Sequence, residues 1–366
     1  MGDRRFAQVG GVDLELGGHL DRVTVAYETW GALDRTASNA VLVLHALTGD
    51  SHVAGSTGPG HPTPGWWDGL IGPGAAIDTR RWFVVAPNVL GGCQGTTGPS
   101  SLAADGRPYG SRFPRITVAD QVAVEQRLAN VLGVRRWASV LGGSMGGMRA
   151  LEWVTGSPDR VASALVLATG AVASGDQIGT QTTQTLAITS DPGWRGGDYH
   201  GAGPGGGPWR GLGIARRIAH LTYRSDRELD ERFGNAAQPG EDPRVDGRFA
   251  VESYLDHQAD KLAHRFDAGS YVALTDAMST WDLGRGRGGV DAALASIRVP
   301  VVVGGIDTDR LYPIHQQQRI AAIAPACVDG LRVIPSLFGH DGFLVERDEV
   351  FDLVAETLDL SDDAAA

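Results

Sequence analysis

Residues 136–157 read RWASVLGGSMGGMRALEWVTGS, and this stretch decides the fold. The apolar run 138–141 predicts a buried strand, and the pattern from Met148 onward predicts a helix. Between them Ser144 stands in a G-x-S-x-G motif, two residues from a glycine on either side. A strand that turns through glycines into a helix, with a serine at the corner, is typical of a nucleophile elbow, in which backbone strain exposes the hydroxyl. The alternative is a glycine-rich turn that only packs the helix closely.

Apolar runs typical of buried strands recur on both sides of this motif. They lie at 40–45 and 82–87 before it, and at 162–168, 299–304 and 331–334 after it. Residues 12–16 and 22–29 alternate in polarity, which predicts an antiparallel pair at the edge of the sheet. Thr117 is expected to cap a helix that continues to Leu132. The pattern therefore predicts a core of alternating strands and helices.

A serine hydroxyl needs a base that takes its proton, usually a histidine oriented by a buried carboxylate. In α/β-hydrolases the chain order is serine, acid, histidine, and the last two lie on loops after strands. Strand 299–304 leads to Asp307 and Asp309, and strand 331–334 leads to His340. The spacing to the next proline favours Asp309 as the acid, with Asp307 as the alternative. His340 is expected to be the base, unless it only caps its loop.

The region between the two halves of this core has a different pattern. Residues 178–286 contain no continuous apolar strand, and they include helical segments at 213–221 and 251–266. The tract 193–213 is rich in glycine and predicts a flexible loop. We therefore predict an α/β-hydrolase fold, with a mostly parallel sheet and helices on both faces. Its core comprises residues 1–177 and 287–366, interrupted by a mainly helical lid insertion at 178–286.

Composition limits the partners and cofactors of this 366-residue chain. A formal net charge of −11 argues against binding to nucleic acid or an anionic membrane. The N-terminal sequence has no apolar core of signal-peptide type, which predicts a cytoplasmic protein. The two cysteines, Cys93 and Cys327, indicate neither a disulfide framework nor a metal cluster. Lys261 is the only lysine, so Schiff-base chemistry would depend on one residue in a charged helical stretch.

Two histidines flank the loop after strand 40–45. His45 and His52 have no carboxylate or second histidine at ligand spacing, so no metal site is predicted. They are expected to shape the loop instead.

Six segments, in this order, resemble homoserine O-acetyltransferases of the α/β-hydrolase fold. They are HALTGDSH at 45–52, PNVLGGCQGTTGPSS at 87–101, GGSMGGMRALEW at 142–153, GIARRIAHLTYRS at 213–225, DTDRLYP at 307–313 and GHDGFL at 339–344. The resemblance extends from about residue 12 to residue 358. It implies transfer of an acetyl group from acetyl-CoA to the hydroxyl of L-homoserine, a step toward methionine. It also implies a homodimer that contacts through the insertion, with no resident cofactor.

The resemblance assigns a catalytic role to five residues. Ser144 would be the nucleophile, Asp309 the orienting acid and His340 the base. The backbone N–H groups of Leu47 and Met145 would form the oxyanion hole. An acyl-enzyme on Ser144 predicts ping-pong kinetics. Because water would compete with the acceptor, the insertion is expected to act as a lid over a narrow tunnel.

The resemblance also assigns two residues to the amino-acid substrate. Arg216 would bind it, and Asp341 would lie near its amino group. The sequence departs from the family pattern in two places. The glycine-rich tract 193–213 leaves Arg217 as an alternative to Arg216. The acid loop contains two acidic residues where the family usually has one, which leaves Asp307 as an alternative to Asp309.

Other functions remain open from the residues alone. An esterase or thioesterase would use the same three side chains, and an open cleft instead of a covered tunnel would favour it. L-serine as acceptor or succinyl-CoA as donor would need only a different pocket, since one methylene changes binding by about 1–3 kcal/mol. A protein of this fold that only binds a ligand is disfavoured by the intact serine, aspartate and histidine.

Overall fold

The computed structural model describes residues 3–203 and 205–363, and an eight-stranded sheet forms its centre. The strands are β1 (Arg5–Gln8), β2 (Val12–Asp13), β3 (His19–Leu20), β4 (Thr24–Trp30), β5 (Ala40–Leu44), β6 (Ile71–Gly72), β7 (Ile77–Asp78), β8 (Phe83–Pro87), β9 (Trp137–Gly143), β10 (Val161–Leu167), β11 (Val301–Ile306) and β12 (Cys327–Ile334). The order across the sheet is β1-β4-β8-β5-β9-β10-β11-β12. Every neighbouring pair from β8 to β12 is parallel, whereas β4 pairs antiparallel with both β1 and β8. The sheet is therefore mostly parallel, as predicted.

Eleven α-helices are found in the described part of the chain. They are α1 (Val118–Val131), α2 (Met145–Gly156), α3 (Gly175–Thr189), α4 (Trp209–Tyr223), α5 (Asp226–Arg232), α6 (Ala250–Ala263), α7 (Ala268–Ser279), α8 (Val290–Ala295), α9 (Ile314–Ile323), α10 (Gly342–Val345) and α11 (Arg347–Asp363). Helices α3 to α7 follow β10 without an intervening strand of the sheet, in the region where a helical insertion is predicted. The exact domain limits at 177 and 286 stay predictions. In residues 3–203 and 205–363, helix length and apolarity nowhere reach what a membrane crossing requires.

The core lies on both faces of the sheet. Because side chains alternate along a strand, β5 contributes to two separate apolar clusters. Leu42 and Leu44 pack on the face that carries α1 and α2, and Val41 and Val43 pack on the face that carries α11; all four are fully buried. Burial on both faces explains why this strand is a continuous apolar run.

The predicted pairing at the antiparallel edge was wrong. Strand β4 pairs with β1, at residues 5–8, and not with the segment at 12–16. That segment is strand for only two residues and pairs with β3 in a separate two-stranded sheet. Gly17 and Gly18 turn the chain back at this point with φ of 87° and 94°, a region open to glycine. Strand β1 is mostly exposed, so its sequence carries little of the apolar signal that marks a strand.

Parts of the glycine-rich tract 193–213 form regular structure; residue 204 lies outside the described residues, and the flexibility of the tract stays a prediction. A short 3₁₀ segment covers Pro192–Gly197, and α4 already begins at Trp209. The carboxylate of Asp191 accepts hydrogen bonds from the backbone N–H groups of Gly193 (2.7 Å) and Gly211 (2.8 Å). One side chain therefore joins the start of the tract to the first turn of the helix that carries Arg216.

Candidate active site

The predicted site residues follow strands that end at one edge of the sheet. Leu44 lies opposite Gly142 across β5 and β9, and Ile306 lies opposite Ile334 across β11 and β12. The loops that leave these parallel strands therefore emerge on the same side. This is the position at which α/β sheets build their binding sites.

Ser144 occupies the corner between β9 and α2 in a strained conformation. Its φ and ψ are 56° and −123°, a combination that a non-glycine residue rarely adopts. A Cβ atom on Gly142 would lie 2.1 Å from the carbonyl oxygen of Gly146, and one on Gly146 would lie 2.1 Å from that of Leu44. Both glycines of the motif are thus required by close backbone contacts. The turn has the geometry of a nucleophile elbow.

Three side chains form a hydrogen-bonded chain that starts at this serine. His340 Nε2 is 2.9 Å from Ser144 Oγ, and His340 Nδ1 is 2.6 Å from Asp309 Oδ2. All three residues are at least 95% buried. The other oxygen of Asp309 accepts hydrogen bonds from the backbone N–H groups of Leu311 and Tyr312, both at 2.8 Å. The carboxylate is therefore fixed, and it in turn fixes the ring that faces the serine.

The structure also separates the two acidic residues of the acid loop. Asp307 does not reach the imidazole; its Oδ1 accepts a hydrogen bond from the backbone N–H of Ser336 at 2.9 Å. Asp307 thus ties the loop after β11 to the loop after β12, and Asp309 supplies the partner of His340.

Aromatic rings surround the imidazole of His340. The ring centroids of Tyr312 and Phe343 both lie 5.2 Å from it, and that of Tyr223 lies 5.9 Å from it. Tyr223 is the last residue of α4, so the helical region after β10 reaches the base directly. Burial raises the pKa of both tyrosines above the usual value, which keeps them neutral. The side chain that would move the proton is thus enclosed by rings that exclude water.

The predicted oxyanion donors lie on the loop after β5 and at the start of α2. Leu47 is 93% buried, and Met145 is the first residue of α2. The amide of a first helical residue has no intrahelical partner and is free to meet an anion. The helix dipole adds partial positive charge at the same end.

A buried ion pair that sequence reasoning missed holds this loop in place. Arg149 and Glu125 are joined at 2.6 Å, and Trp153 Nε1 donates to the same carboxylate at 2.8 Å. Arg149 also donates to the carbonyl oxygen of His45, two residues before Leu47. The available signal was an arginine in the mostly apolar elbow helix, but its partner lies on another helix and could not be read from spacing.

His45 shapes the loop in the manner predicted. Its Nδ1 donates to the carbonyl oxygen of Ala46 at 2.7 Å, and its Nε2 accepts from the backbone N–H of Val89 at 3.0 Å. Burial, reinforced by the charge of Arg149, lowers the pKa of His45 to about 3. The ring is therefore neutral and links two of the loops around the site.

His52 has partners that the sequence did not reveal. Its Nδ1 lies 3.1 Å from Glu28 Oε2, and His61 Nε2 lies 3.7 Å from the other oxygen of the same carboxylate. The sequence shows no partner at ligand spacing, but the fold brings a carboxylate and a second histidine to this region from distant segments. The two imidazoles stack with centroids 3.8 Å apart and planes 15° apart. The ligand atoms of Glu28, His52 and His61 all lie within 4.8 Å of one another, so these three residues form a donor set of the kind that binds metal ions.

The two consecutive arginines of α4 point to different partners. Arg217 forms an ion pair of 2.5 Å with Asp256, and both are partly exposed. The guanidinium of Arg216 lies 5.5 Å over the ring of Tyr223, which itself faces His340. Its Nε and Nη1 are buried and have no hydrogen-bond partner among the described residues. Buried cationic donors without a partner are costly, so this position favours an anionic ligand.

Asp341 follows the predicted base in the chain and is also largely buried. Arg224 Nη1 donates to its Oδ2 at 3.3 Å, and the same arginine pairs with Glu228 at 2.8 Å. Burial is the largest influence on Asp341 and raises its pKa, against the opposing charges of His340 and Arg224. Arg224 was not identified from the sequence. It lies in the same segment as Arg216, and only the fold shows that it turns toward the acidic residue.

A cavity of about 450 Å³ opens beside these residues. Its walls come from the loop after β5, from α4, from α6 and from the residues that follow α6; they include Thr48, Asp50, Arg216, Lys261 and Arg265. Ala46 and Leu344 also line it. These two residues are the chain neighbours of Leu47 and Phe343, so the cavity borders the oxyanion loop and the surroundings of His340.

Comparison with known proteins agrees with this geometry. A family model described as the alpha/beta hydrolase fold matches residues 39–346. The homoserine O-acetyltransferase of Mycobacterium ulcerans is 59% identical over 365 residues, which cover 100% of this chain and 96% of that protein. The homoserine O-acetyltransferase of Mycobacterium tuberculosis is 59% identical over 361 residues, or 99% of this chain and 94% of the relative.

Solved structures show the same relationship and one further likeness. The crystal structure of homoserine O-acetyltransferase from Bacillus anthracis is 26% identical, covers 98% of both chains and has a TM-score of 0.87. That of esterase E22 is 25% identical, with a TM-score of 0.88 over 98% of this chain and 100% of the esterase. The predicted fold and family are confirmed. This chain belongs to the homoserine O-acetyltransferase family, a family of acyltransferases with the α/β-hydrolase fold.

Proposed function

We propose that this protein transfers an acetyl group from acetyl-CoA to the side-chain hydroxyl of L-homoserine through an acyl-enzyme on Ser144. The observation that carries the proposal is the buried chain of hydrogen bonds from Ser144 through His340 to Asp309 on a strained elbow. The names and the 59% identity of the mycobacterial relatives support this choice of donor group and acceptor.

The first half-reaction loads the enzyme. His340 Nε2 takes the proton of Ser144 Oγ as that oxygen attacks the thioester carbonyl carbon. Asp309 holds the ring and stabilises the imidazolium that forms. The backbone N–H groups of Leu47 and Met145 receive the negative oxygen, and one such donor typically contributes about 3 kcal/mol. The carbon–sulfur bond then breaks, His340 returns the proton to the thiolate, and CoA leaves as the free thiol.

The second half-reaction uses the same groups in reverse order. His340 takes the proton of the homoserine hydroxyl, whose oxygen attacks the carbonyl carbon of acetyl-Ser144. The oxyanion occupies the same two N–H groups. The bond to Ser144 Oγ then breaks and His340 returns the proton to that oxygen. O-acetylhomoserine leaves and the enzyme is restored, so the kinetics are ping-pong.

Water is the competing acceptor in this scheme. An oriented hydroxyl can reach an effective molarity of about 10⁵ M or more, which exceeds the concentration of water provided that the hydroxyl is held in line. The 96% burial of Ser144 and the rings around His340 support a covered site in which few water molecules reach the ester. The helices after β10 would act as the lid.

Two charged groups would orient the acceptor. Arg216, with buried donors that lack a protein partner, would bind the α-carboxylate of homoserine. Asp341 would accept hydrogen bonds from its α-ammonium. A carboxylate has about four acceptor positions, so the contact with Arg224 leaves capacity for the substrate.

The biological setting follows from the same proposal. The product would enter methionine biosynthesis, the protein would need no resident cofactor or metal ion, and the cytoplasmic location stays a prediction.

A homodimer that contacts through the insertion is supported by large apolar side chains exposed on α3 and α4, namely Ile178, Leu186, Trp209, Ile214 and Leu221. Light scattering coupled to size-exclusion chromatography tests it, and a monomer at micromolar concentration would exclude it.

A second candidate function is ester hydrolysis, which is favoured by the likeness to esterase E22. The two functions share the acyl-enzyme and differ in the acceptor. The test is to load the protein with acetyl-CoA and detect one added acetyl group by intact mass, with Ser144→Ala as the unreactive control. The loaded protein is then mixed with homoserine, serine or buffer alone.

Acetyl transfer predicts fast loss of the acetyl group with homoserine only. Equal loss in all three mixtures would indicate hydrolysis, and faster loss with serine would change the acceptor. A parallel loading with succinyl-CoA tests the donor. An unmodified Ser144 after incubation with every donor would exclude the proposed mechanism.

A further inference from the structure

The cavity beside the site has an excess of positive charge. Arg216, Lys261 and Arg265 line it, against one carboxylate, that of Asp50. Asp50 itself lies 3.8 Å from the guanidinium of Arg4, so its charge is already partly balanced. The chain as a whole carries a formal net charge of −11. Three cations around one cavity in an acidic protein indicate a binding site for an anion.

Lys261 takes no part in the catalytic steps proposed above for Ser144, His340 and Asp309. It lies in the last turn of α6, is exposed, and has no hydrogen bond or ion pair among the described residues. Other cations of the same region are paired: Arg217 and Arg248 both contact Asp256 on α6. The only lysine of the chain therefore faces the cavity free of an acidic partner.

Arg265 is the third cation that lines the cavity. Its Nη2 donates to the carbonyl oxygen of Thr48 at 2.7 Å, and no carboxylate in the described part of the chain lies within ion-pair distance of it. Its guanidinium is largely buried, and this burial lowers its pKa from the usual value. An anion in the cavity would offset the desolvation of this charge.

The wall of the cavity combines residues next to the site with an exposed cation. Ala46 and Leu344 are the chain neighbours of Leu47 and Phe343, whereas Lys261 is exposed to solvent. An acyl-CoA has the same polarity, with an uncharged thioester arm at one end and phosphate groups at the other. A lysine ammonium binds phosphate as a point charge, and an arginine adds directed donors.

We propose that Lys261, assisted by Arg265, binds a phosphate group of the acyl-CoA donor at the mouth of this cavity. This inference rests on the proposed function, because it assumes that the donor is a CoA thioester. Arg216 remains the group for the carboxylate of the acceptor. The two anions of the two substrates thus meet different cations of one cavity.

The test compares a donor that carries phosphates with one that lacks them. Steady-state rates are measured with acetyl-CoA and with S-acetylpantetheine for the wild type, Lys261→Ala and Lys261→Arg. The matched control is Arg210→Ala, which removes one exposed charge from α4, outside this cavity. Because Lys261 is exposed and unpaired, its replacement leaves the fold intact, which thermal unfolding checks.

The expected result is a change that depends on the donor. Lys261→Ala raises the KM for acetyl-CoA about fivefold, the effect of one partly screened charge–phosphate contact. It leaves kcat and the KM for S-acetylpantetheine unchanged, and Lys261→Arg restores most of the loss. Salt raises the KM for acetyl-CoA more in the wild type than in Lys261→Ala. The control variant behaves as wild type with both donors.

Two results would overturn the inference. One is an unchanged KM for acetyl-CoA in Lys261→Ala, and the other is an equal rise for both donors. Failure of the proposed function is distinguishable from either. In that case the wild-type protein itself forms no acetyl-enzyme from acetyl-CoA, whatever residue stands at position 261.

Discussion

Replacing Gly146 by alanine tests whether the elbow depends on close backbone contacts. An added Cβ would lie 2.1 Å from the carbonyl oxygen of Leu44, 2.9 Å from its carbon and 3.3 Å from the carbonyl oxygen of His45. None of these atoms belongs to a flexible side chain. The carbonyl must retreat by about 1 Å to reach an ordinary van der Waals contact. The end of β5 must therefore move away from α2.

This displacement has two expected consequences. Overpacking typically destabilises a protein by about 1–3 kcal/mol. Gly146→Ala is expected in the upper part of that range, because neither the new Cβ nor the backbone carbonyl of Leu44 can rotate away. The moved segment also leads into Leu47, one of the two proposed oxyanion donors. A misplacement of about 1 Å in catalytic geometry reduces the rate on the order of 10²-fold. We expect that reduction in the formation of the acetyl-enzyme.

Urea unfolding measures the first effect, and a stopped-flow burst of thiol release from acetyl-CoA measures the second. The matched control is Gly179→Ala, an exposed position within α3 where the new Cβ meets nothing within 4 Å. It should stabilise the protein by about 0.5–1 kcal/mol and leave the burst unchanged. If Gly146→Ala retained wild-type stability and burst rate, the argument from backbone contact would be refuted.

Four further substitutions test the surrounding residues. Arg216→Ala should slow loss of the acetyl group to homoserine by about 10²-fold or more while the acetyl-enzyme still forms; failure to form it would place Arg216 in the donor step. Asp309→Asn should reduce kcat by about 10⁴-fold and Asp307→Asn far less, and equal losses would contradict the assignment of the acid. Glu125→Gln leaves the Arg149 charge buried and unpaired, so urea unfolding should show a loss of about 3–5 kcal/mol; a loss below about 1 kcal/mol would mean that the pair is not needed.

Features that depend on a few neighbouring residues could be predicted from the sequence. The elbow is one, since the glycines on either side of Ser144 are required by contacts within the turn and with the adjacent strand. The choice of Asp309 over Asp307 is another, because it rested on the short spacing from the acid to Pro313, and the structure places Asp309 against His340. The continuous apolar run of β5 predicted a strand buried on both faces for the same local reason.

Features that depend on residues far apart could not be predicted. The partners of His52, Glu28 and His61, come from separate segments that only the sheet order brings together. The edge strand β1 is short and mostly exposed, so no apolar pattern marks it. Arg216 and Arg217 follow one another on a helix and differ by about 100° in direction. Helical periodicity alone cannot decide which of them faces the site until the packing of α4 is known.

The likeness to both an acetyltransferase and an esterase has a chemical consequence. In the proposed mechanism, the serine, the base, the acid and the oxyanion donors would perform the same steps whether water or an alcohol accepts the acyl group, so the acceptor is not selected by them. The acceptor must be selected by groups that bind it and do no chemistry. Arg216 fits this role because its buried Nε and Nη1 are unpaired among the described residues. The carboxylate of an amino-acid acceptor would compensate this desolvation, whereas water as the acceptor brings no anion. Loss of this side chain should therefore shift the ratio of transfer to hydrolysis toward hydrolysis, and an unchanged ratio would remove the physical reason to prefer an amino-acid acceptor over water.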